Sequence, residues 1–496
     1  MSETALGRRP MSSLENTLSA LRARMRLEAG EAAAARRVVY AGVATYAVLF
    51  AFAAVLHYSV FEEPRLDLGN MVQAIWNTAH GHVLENTTLH GQQHSRLGSH
   101  VDPFLILLAP LIWIPSSPAI LLALQAVAVA SGALPVFWLA RKHLDSARAG
   151  AQFAFAYLLY PATQFHAFTI GDGFHAVSFA VPLILYAIWF LDEDRLVAFS
   201  VVALLAFTTK EELPLAVGCL GIWYAVRRGH RLFGLGVFAA GLLVTLFNFL
   251  WVIPHFAPNG VQPFAGRYAA VGGTPRGMAH KLVTDPLAFV HAVADGHKAG
   301  FVALLLIPFL GLWLFEPLLL LGAVPDLAIN LLSSNPNQTT VQFQYTAGIV
   351  PFIVAASVLG ASRFKRHALD LSLWCLAATA AVAIYSPIYL GAKDVRALGS
   401  PLVSAKAHAV SLIPHGVPVA ASNQLGGSLS GRRYVYSFPL LRRRAQWIIV
   451  DRNDWSYPDV AWYKRQIRRY EANKKWRIVY SSHGVTVLHR RPTAPR

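Results

Sequence analysis

Charged side chains are scarce in this chain: 14% of its 496 residues are Asp, Glu, Lys or Arg, while 55% are hydrophobic. Soluble domains carry about 25% charge, so a wholly soluble protein is excluded and most of the chain is expected in lipid. Cysteine is nearly absent. Cys219 and Cys375 both lie inside apolar runs, which leaves no disulfide framework and marks them as packing residues. Acidic residues are outnumbered, 26 against 43 basic ones, for a net charge of +17. No phosphate-cradling glycine motif, Gly-x-Ser-x-Gly elbow or paired Cys-x-x-Cys occurs, which disfavours an enzyme of cytosolic nucleotides.

What is abundant is apolar sequence in runs long enough to span a bilayer. A membrane helix needs roughly 20 apolar residues. Candidate spans fall near 38–60, 104–140, 149–165, 175–191, 196–209, 213–226, 232–254, 300–315, 317–333, 344–361 and 368–390, about eleven in all. The polar, basic segment 1–37 precedes them without a signal-peptide cleavage pattern and is expected to be cytoplasmic. Alternating from there, the inside loops hold Arg141, Lys142, His143 and Arg148, then residues 192–195, 227–231 and 363–367, and three of the four are basic. The expected architecture is therefore an all-α polytopic membrane bundle over 38–390, with a large first outer loop at 61–103 and an extracytoplasmic basic α/β domain over 391–496.

That count places the unusual polar residues on one side. Asp67 follows the first span in Glu62-Glu63-Pro64-Arg65-Leu66-Asp67, at the start of a helical pattern, where it is placed either to cap the helix or to act as a general base. The same loop continues through His80, His82, His90, His94, Arg96, His100 and Asp102. Five histidines invite a metal, but no His-Glu-x-x-His occurs and Gly91 interrupts the one i, i+4 pair, so hydrogen-bonded or solvated histidines are expected. Asp172 with His175 occupies a turn between spans, and Lys210-Glu211-Glu212 another. A lysine beside two acids between short apolar helices is costly unless it is paired or binds something, and a phosphate suits it. Arg267 and Tyr345 fall on the same side.

Residues 391–496 hold 19 Lys/Arg against 5 Asp/Glu, most of the chain's positive excess. Short alternating segments at 417–421, 434–438, 446–450, 476–480 and 485–489 predict strands, residues 461–471 predict a helix, and His483-Gly484 predicts a tight turn. Such a basic face fits anionic lipid headgroups, acidic envelope polymers or phosphorylated substrates, or is simply a solvated surface, and nucleic acid is not an expected partner.

Several motifs together resemble a known family. Asp67-Leu-Gly-Asn-Met-Val-Gln-Ala-Ile-Trp-Asn, Ser99-His-Val-Asp-Pro-Phe, Asp172-Gly-Phe-His, Thr209-Lys-Glu-Glu-Leu-Pro and Asn330-Leu-Leu-Ser-Ser look like the bacterial membrane proteins grouped as domain of unknown function 2079. That family is similar in layout to the glycosyltransferase C superfamily. The resemblance implies sugar transfer from a polyprenyl-phosphate donor to an envelope glycan, lipid or protein acceptor outside a cell membrane, by an inverting displacement. Asp67 matches the superfamily's catalytic acid. Many members carry two acids adjacent or one apart, whereas Glu63 and Asp67 stand four apart here, which makes Asp102 a reserve base. The resemblance implies further that Lys210, with Arg96 or Arg267, stabilises the departing phosphate, and that His100, Asp172, His175, Glu211, Glu212 and Tyr345 complete a substrate site. It names no obligatory cofactor, and a divalent cation is compatible with it. A secondary transporter of a polar or lipid-linked substrate is the alternative, although no internal repeat is visible and the ionisable residues gather at span ends rather than mid-membrane.

Overall fold

In the computed structural model, residues 11–113, 118–169, 172–440 and 445–492 are described, with side chains from residue 28 onward. Four helical runs among them are long and apolar enough to cross a bilayer: Glu28–Ser59, Ala119–Leu144, Arg231–Phe256 and Val350–Leu398. A fifth is a bent pair, Leu287–Val293 and Gly296–Phe309, meeting at 68°. The remaining apolar helices, including Ala176–Asp192, Leu196–Phe207 and Pro317–Leu332, are shorter. At 1.5 Å per residue a 12-residue helix such as Leu196–Phe207 reaches about 18 Å, less than the roughly 30 Å hydrocarbon core. Eleven spans are thus not established by helix length.

Local chemistry explains the fragments. The expected span at 149–165 breaks at Tyr160, whose extended backbone precedes Pro161; proline disfavours helical geometry in the residue before it. The span at 300–315 stops where Leu310 and Gly311 adopt φ of 54° and 73°. Glu316, with φ −134° and ψ 57°, precedes Pro317 at the first turn of the next helix. Val350–Leu398 is 49 residues long, too long for one crossing, and is broken at Phe364, with φ −120° and ψ 42°.

The lipid-facing side is legible from exposure. Leu232 is 91% exposed and Val197 81%, with Leu243, Phe247 and Leu250 also open; apolar surface on this scale needs an apolar solvent. Inside, helices Leu213–Arg228 and Arg231–Phe247 approach through glycine. A Cβ on Gly221 would sit 2.2 Å from the Gly234 carbonyl oxygen, so the backbones meet as small-residue membrane interfaces do.

The basic loops gather at one end of the bundle. Asp192 there holds Lys142 at 2.7 Å and His143 at 2.9 Å, Arg227 pairs with Glu316, and Lys365 reaches Asp145 at 2.7 Å. Asp172 and His175 precede helix Ala180–Asp192, and Glu211 and Glu212 precede helix Leu213–Arg228, so they lie at the ends of these helices away from Asp192 and Arg227.

The C-terminal sheet comprises β1 (Val419–Ala421), β2 (Val435–Ser437), β3 (Trp447–Asp451), β4 (Trp476–Ser482) and β5 (Val485–Arg490). Its order is β2-β1-β3-β5-β4, parallel among the first three and antiparallel beyond. Alternate residues fill two cores. Val419, Ala421, Val435 and Ile449 pack with Ala409 and Ile413; Ala420, Tyr436, Ile448 and Val450 pack with Tyr463 and Ile467 of helix Val460–Glu471. Burial on both faces is what parallel strands require. His483 and Gly484, with φ of 47° and 83°, make the expected turn.

This sheet grips the first loop. Arg65, 1% exposed, donates from Nε to the Val435 carbonyl at 3.1 Å, from Nη1 to Ser437 Oγ at 2.6 Å and from Nη2 to the Thr87 carbonyl at 2.5 Å. Gln73 donates to the carbonyls of Arg432 and Arg433, and the Leu66 amide donates to Asn423 Oδ1. The turn between Arg65 and Gly69 is thereby held from both sides.

Candidate active site

Asp67 lies in that turn, one residue beyond Leu66 and just ahead of helix Asn70–Ala79. It does not cap the helix: neither that helix nor the preceding turn carries a side-chain cap hydrogen bond. Instead 41% of its side-chain surface stays open, and it lines a cavity of about 350 Å³ with Arg96, His100, Asp102, His175, Lys210, Arg267 and Tyr345. Protein surrounds it on its other sides, so loss of hydration raises its pKa, opposed by Arg96, His100 and a hydrogen bond from Asp172.

Asp172 does not line the cavity but stands behind Asp67. Burial and then the Asp67 charge push its pKa well up, so near neutrality Asp172 keeps its proton and donates it in a hydrogen bond to the Asp67 carboxylate. Next to both is Glu63, 1% exposed, neither of whose carboxylate oxygens finds a hydrogen-bond partner among the described residues. Burial raises its pKa to about 7. The approach depends on Gly173, whose φ is +68° and whose Cβ, if present, would sit 2.5 Å from Glu63 Oε2. His175 Nε2 is 4.0 Å from Asp67 Oδ1. Burial, Arg96 and His100 drop its pKa to about 3, so it is a neutral neighbour.

Arg96 and Lys210 are held by dedicated acids. Arg96 Nε donates to Asp102 Oδ2 at 2.6 Å, and both residues are buried. Asp102 is therefore engaged, whereas Asp67 faces space. Glu211 accepts from the Val101 amide at 3.0 Å and meets His100 Nδ1 at 3.1 Å; burial alone would raise its pKa, but His100 and Lys210 pull it below the usual range. Lys210 pairs with Glu212, and its ammonium stands 5.7 Å from the centroid of the Tyr345 ring. Burial works against that charge, and the carboxylates of Glu212 and Glu211 overcome it and raise its pKa. The Arg267 guanidinium lies 4.4 Å over the Phe264 ring, which stacks on His100 at 5.0 Å.

A second cavity, also about 350 Å³, adjoins the first. Leu215, Phe249, Met278, Ile329 and Leu332 make it chiefly apolar, while Glu211, Glu212 and Gln338 add polar groups. His100, Lys210, Phe264, Arg267 and Tyr345 line both cavities. A polar chamber with an open carboxylate thus meets an apolar chamber across a cationic and aromatic wall.

The first-loop histidines 80, 82, 90 and 94 do not line either cavity. His80 stacks on Trp76 at 3.8 Å, and His94 contacts Gln92 at 3.2 Å. Among the described residues, no group of three or more His, Cys, Asp or Glu is arranged to hold a metal. The roles of Arg65 and Phe264 were not apparent in the sequence. An arginine two residues before the acid was the one available signal for the first, and nothing in local sequence marked Phe264.

The profile of a family described as "Predicted membrane protein (DUF2079)" matches residues 57–487. The chain belongs to this family. No curated protein matches it. Among solved structures, this DUF2079 protein is similar to ArnT from Cupriavidus metallidurans bound to undecaprenyl phosphate, with a TM-score of 0.51 at 12% identity, over 90% of this chain and 97% of that one. The apo state of the same ArnT gives a TM-score of 0.47 at 14% identity, over 90% and 98%. The oligosaccharyltransferase AglB from Archaeoglobus fulgidus, in complex with an inhibitory peptide and a dolichol-phosphate, gives 0.44 at 13% identity, over 82% and 69%. The DUF2079 chain therefore shares the overall fold of ArnT.

Proposed function

We propose that this protein is an integral membrane glycosyltransferase that moves a sugar from a polyprenyl-phosphate donor to an envelope acceptor on the outer face. The observation that carries the reading is the wall shared by the two cavities. A polyprenyl-phosphate sugar has an apolar tail, an anionic junction and a polar head in that order. The apolar chamber, the Lys210 and Arg267 pair and the Asp67 chamber follow the same order. The fold shared with ArnT, whose structure contains undecaprenyl phosphate, supports the same donor class.

In this reading the acceptor O–H or N–H gives its proton to Asp67 as the acceptor atom attacks the anomeric carbon. The bond from that carbon to the phosphate oxygen breaks, and the lipid phosphate leaves with the electron pair. One displacement inverts the anomeric centre. Asp67 is the catalytic base, and Lys210 and Arg267 stabilise the charge developing on phosphate. Protonated Asp172 orients Asp67. Asp102 holds Arg96 and Glu212 holds Lys210, so both cations are positioned before the donor arrives, and Glu211 orients His100. His175 and Tyr345 complete the cavity walls.

The direct test is donor-phosphate binding by purified protein. Wild type in detergent is expected to retain undecaprenyl phosphate in native mass spectrometry. Lys210→Ala and Arg267→Ala are expected to weaken it at least tenfold. Equal retention by both variants would remove the phosphate role.

A further inference from the structure

Helix Val460–Glu471 has two chemically opposed faces. Tyr463 and Ile467 are buried against the sheet. At 100° per residue the opposite side carries Arg465, Arg468 and Arg469 beside Trp462, with Lys464 on its flank, all exposed. Beyond the helix, Lys474, Lys475 and Arg477 extend the same charge toward strand β4 and are exposed as well.

These cations are not balanced locally. Of the nearby acids, Asp459 caps the helix by accepting from the Trp462 amide at 2.7 Å, and Glu471 is taken by Arg452 at 2.5 Å. Among the described residues, no ion pair involves Lys464, Arg465, Arg468, Arg469, Lys474, Lys475 or Arg477. Lys464 with Arg468, and Arg465 with Arg469, are like-charge i, i+4 pairs, which destabilise a helix. The helix dipole compensates at the last turn, for Arg468 and Arg469, but not for Lys464 and Arg465 nearer the start. No local acid offsets this cost, so the charge of the face is open to an anionic partner.

We propose that this face docks an acidic polysaccharide, a glycan bearing carboxylate or phosphate groups. The cations match the repeated anionic groups, and the planar face of Trp462, 39% exposed, offers a platform for the C–H face of a sugar ring. Trp455, 62% exposed, precedes the same helix. A membrane surface is the poorer fit, because an interfacial helix turns a stripe of Leu, Phe and Trp to the lipid, whereas the exposed apolar residues of this helix are Val460, Ala461 and Trp462 at its first turn, ahead of the four cations. Docking is independent of transfer chemistry at Asp67.

The test uses the full chain in nanodiscs of zwitterionic lipid, titrated with polygalacturonate, neutral dextran of matched length, duplex DNA and phosphatidylglycerol vesicles. Polygalacturonate is expected to bind at physiological salt and dextran not to bind. Replacing Lys464, Arg465, Arg468 and Arg469 together by Gln is expected to weaken polygalacturonate at least tenfold with an unfolding temperature no lower than that of wild type, since it relieves the like-charge pairs. Trp462→Ala is expected to weaken polygalacturonate severalfold and leave DNA and vesicle binding as in wild type. Asp67→Asn is expected to bind as wild type does, which separates this proposal from the transferase reading. Dextran binding as tightly as polygalacturonate would overturn it, as would an indifferent fourfold variant. DNA or vesicles binding as tightly as the polyuronate, with Trp462→Ala without effect, would reduce the face to a generic cationic surface and also overturn it.

Discussion

Asp67 and Asp172 lie together in a partly dehydrated corner, and their proximity means that they do not readily ionise together. Asp172, pushed up by burial and by the Asp67 charge, holds the proton; Asp67, open to the cavity, carries the charge and is the proposed base. Asp67→Asn is expected to lower the transfer rate by about 10²- to 10⁴-fold, the range for a general base, with little change in donor binding, as measured by single-turnover transfer. Because the pKa of Asp67 is raised, wild-type activity should fall on acidification through a pH above about 4, the ordinary Asp value. The hydrogen bond from Asp172 favours charged Asp67. Asp172→Ala removes it, raises the Asp67 pKa further and is expected to move the acid limb of the pH–rate profile upward. Glu63 permits a stability test at the same spot. Its pKa rises on folding from 4.5 to about 7, so its contribution is fully present below pH 4.5 and is lost as pH rises through 7. Glu63→Gln is expected to unfold at a higher temperature than wild type at pH 8 and to match it at pH 4. Of these residues the sequence exposed the acids, since a carboxylate between apolar runs is conspicuous. It did not expose which acid is free: Asp102 is tied to Arg96 by a contact six residues away, while Asp67 is left open by packing contacts remote in sequence.

At the scale of elements, the strands and helix of the C-terminal sheet lie within about two residues of their expected positions, because period-2 alternation and the His483-Gly484 turn are local signals. The apolar runs were located but not resolved into helices. Breaks such as Tyr160-Pro161 and Leu310-Gly311 interrupt hydrogen bonding without interrupting hydrophobicity, so a hydropathy reading passes over them. The clamp on the first loop was likewise hidden, since Arg65 meets partners some 370 residues away. Arg65→Ala leaves the carbonyls of Val435 and Thr87 without this donor, and each buried group so stranded costs about 1–3 kcal/mol. The expected result is a lower unfolding temperature and faster amide exchange over 61–103. Exchange at the wild-type rate would mean that the loop holds its shape without the sheet.

Across the whole molecule, ionisable side chains are divided between two ends: a basic network around Asp192 and Glu316 at one, and the Asp67 cavity at the other. In the proposed reading the second end faces outward, the side that basic loops at the first end assign to it. A transporter needs its polar groups along a path through the bundle, whereas here they surround a chamber open to an apolar cavity at one end. The proposed chemistry at that end is sugar transfer with Asp67 as the base. Its most direct test is the sugar composition and linkage of the cell envelope in a deletion strain, complemented by wild type or by Asp67→Asn at matched expression. One glycan feature is expected to disappear on deletion and to return with wild type alone; its full return with Asp67→Asn would exclude Asp67 as the base of the transfer.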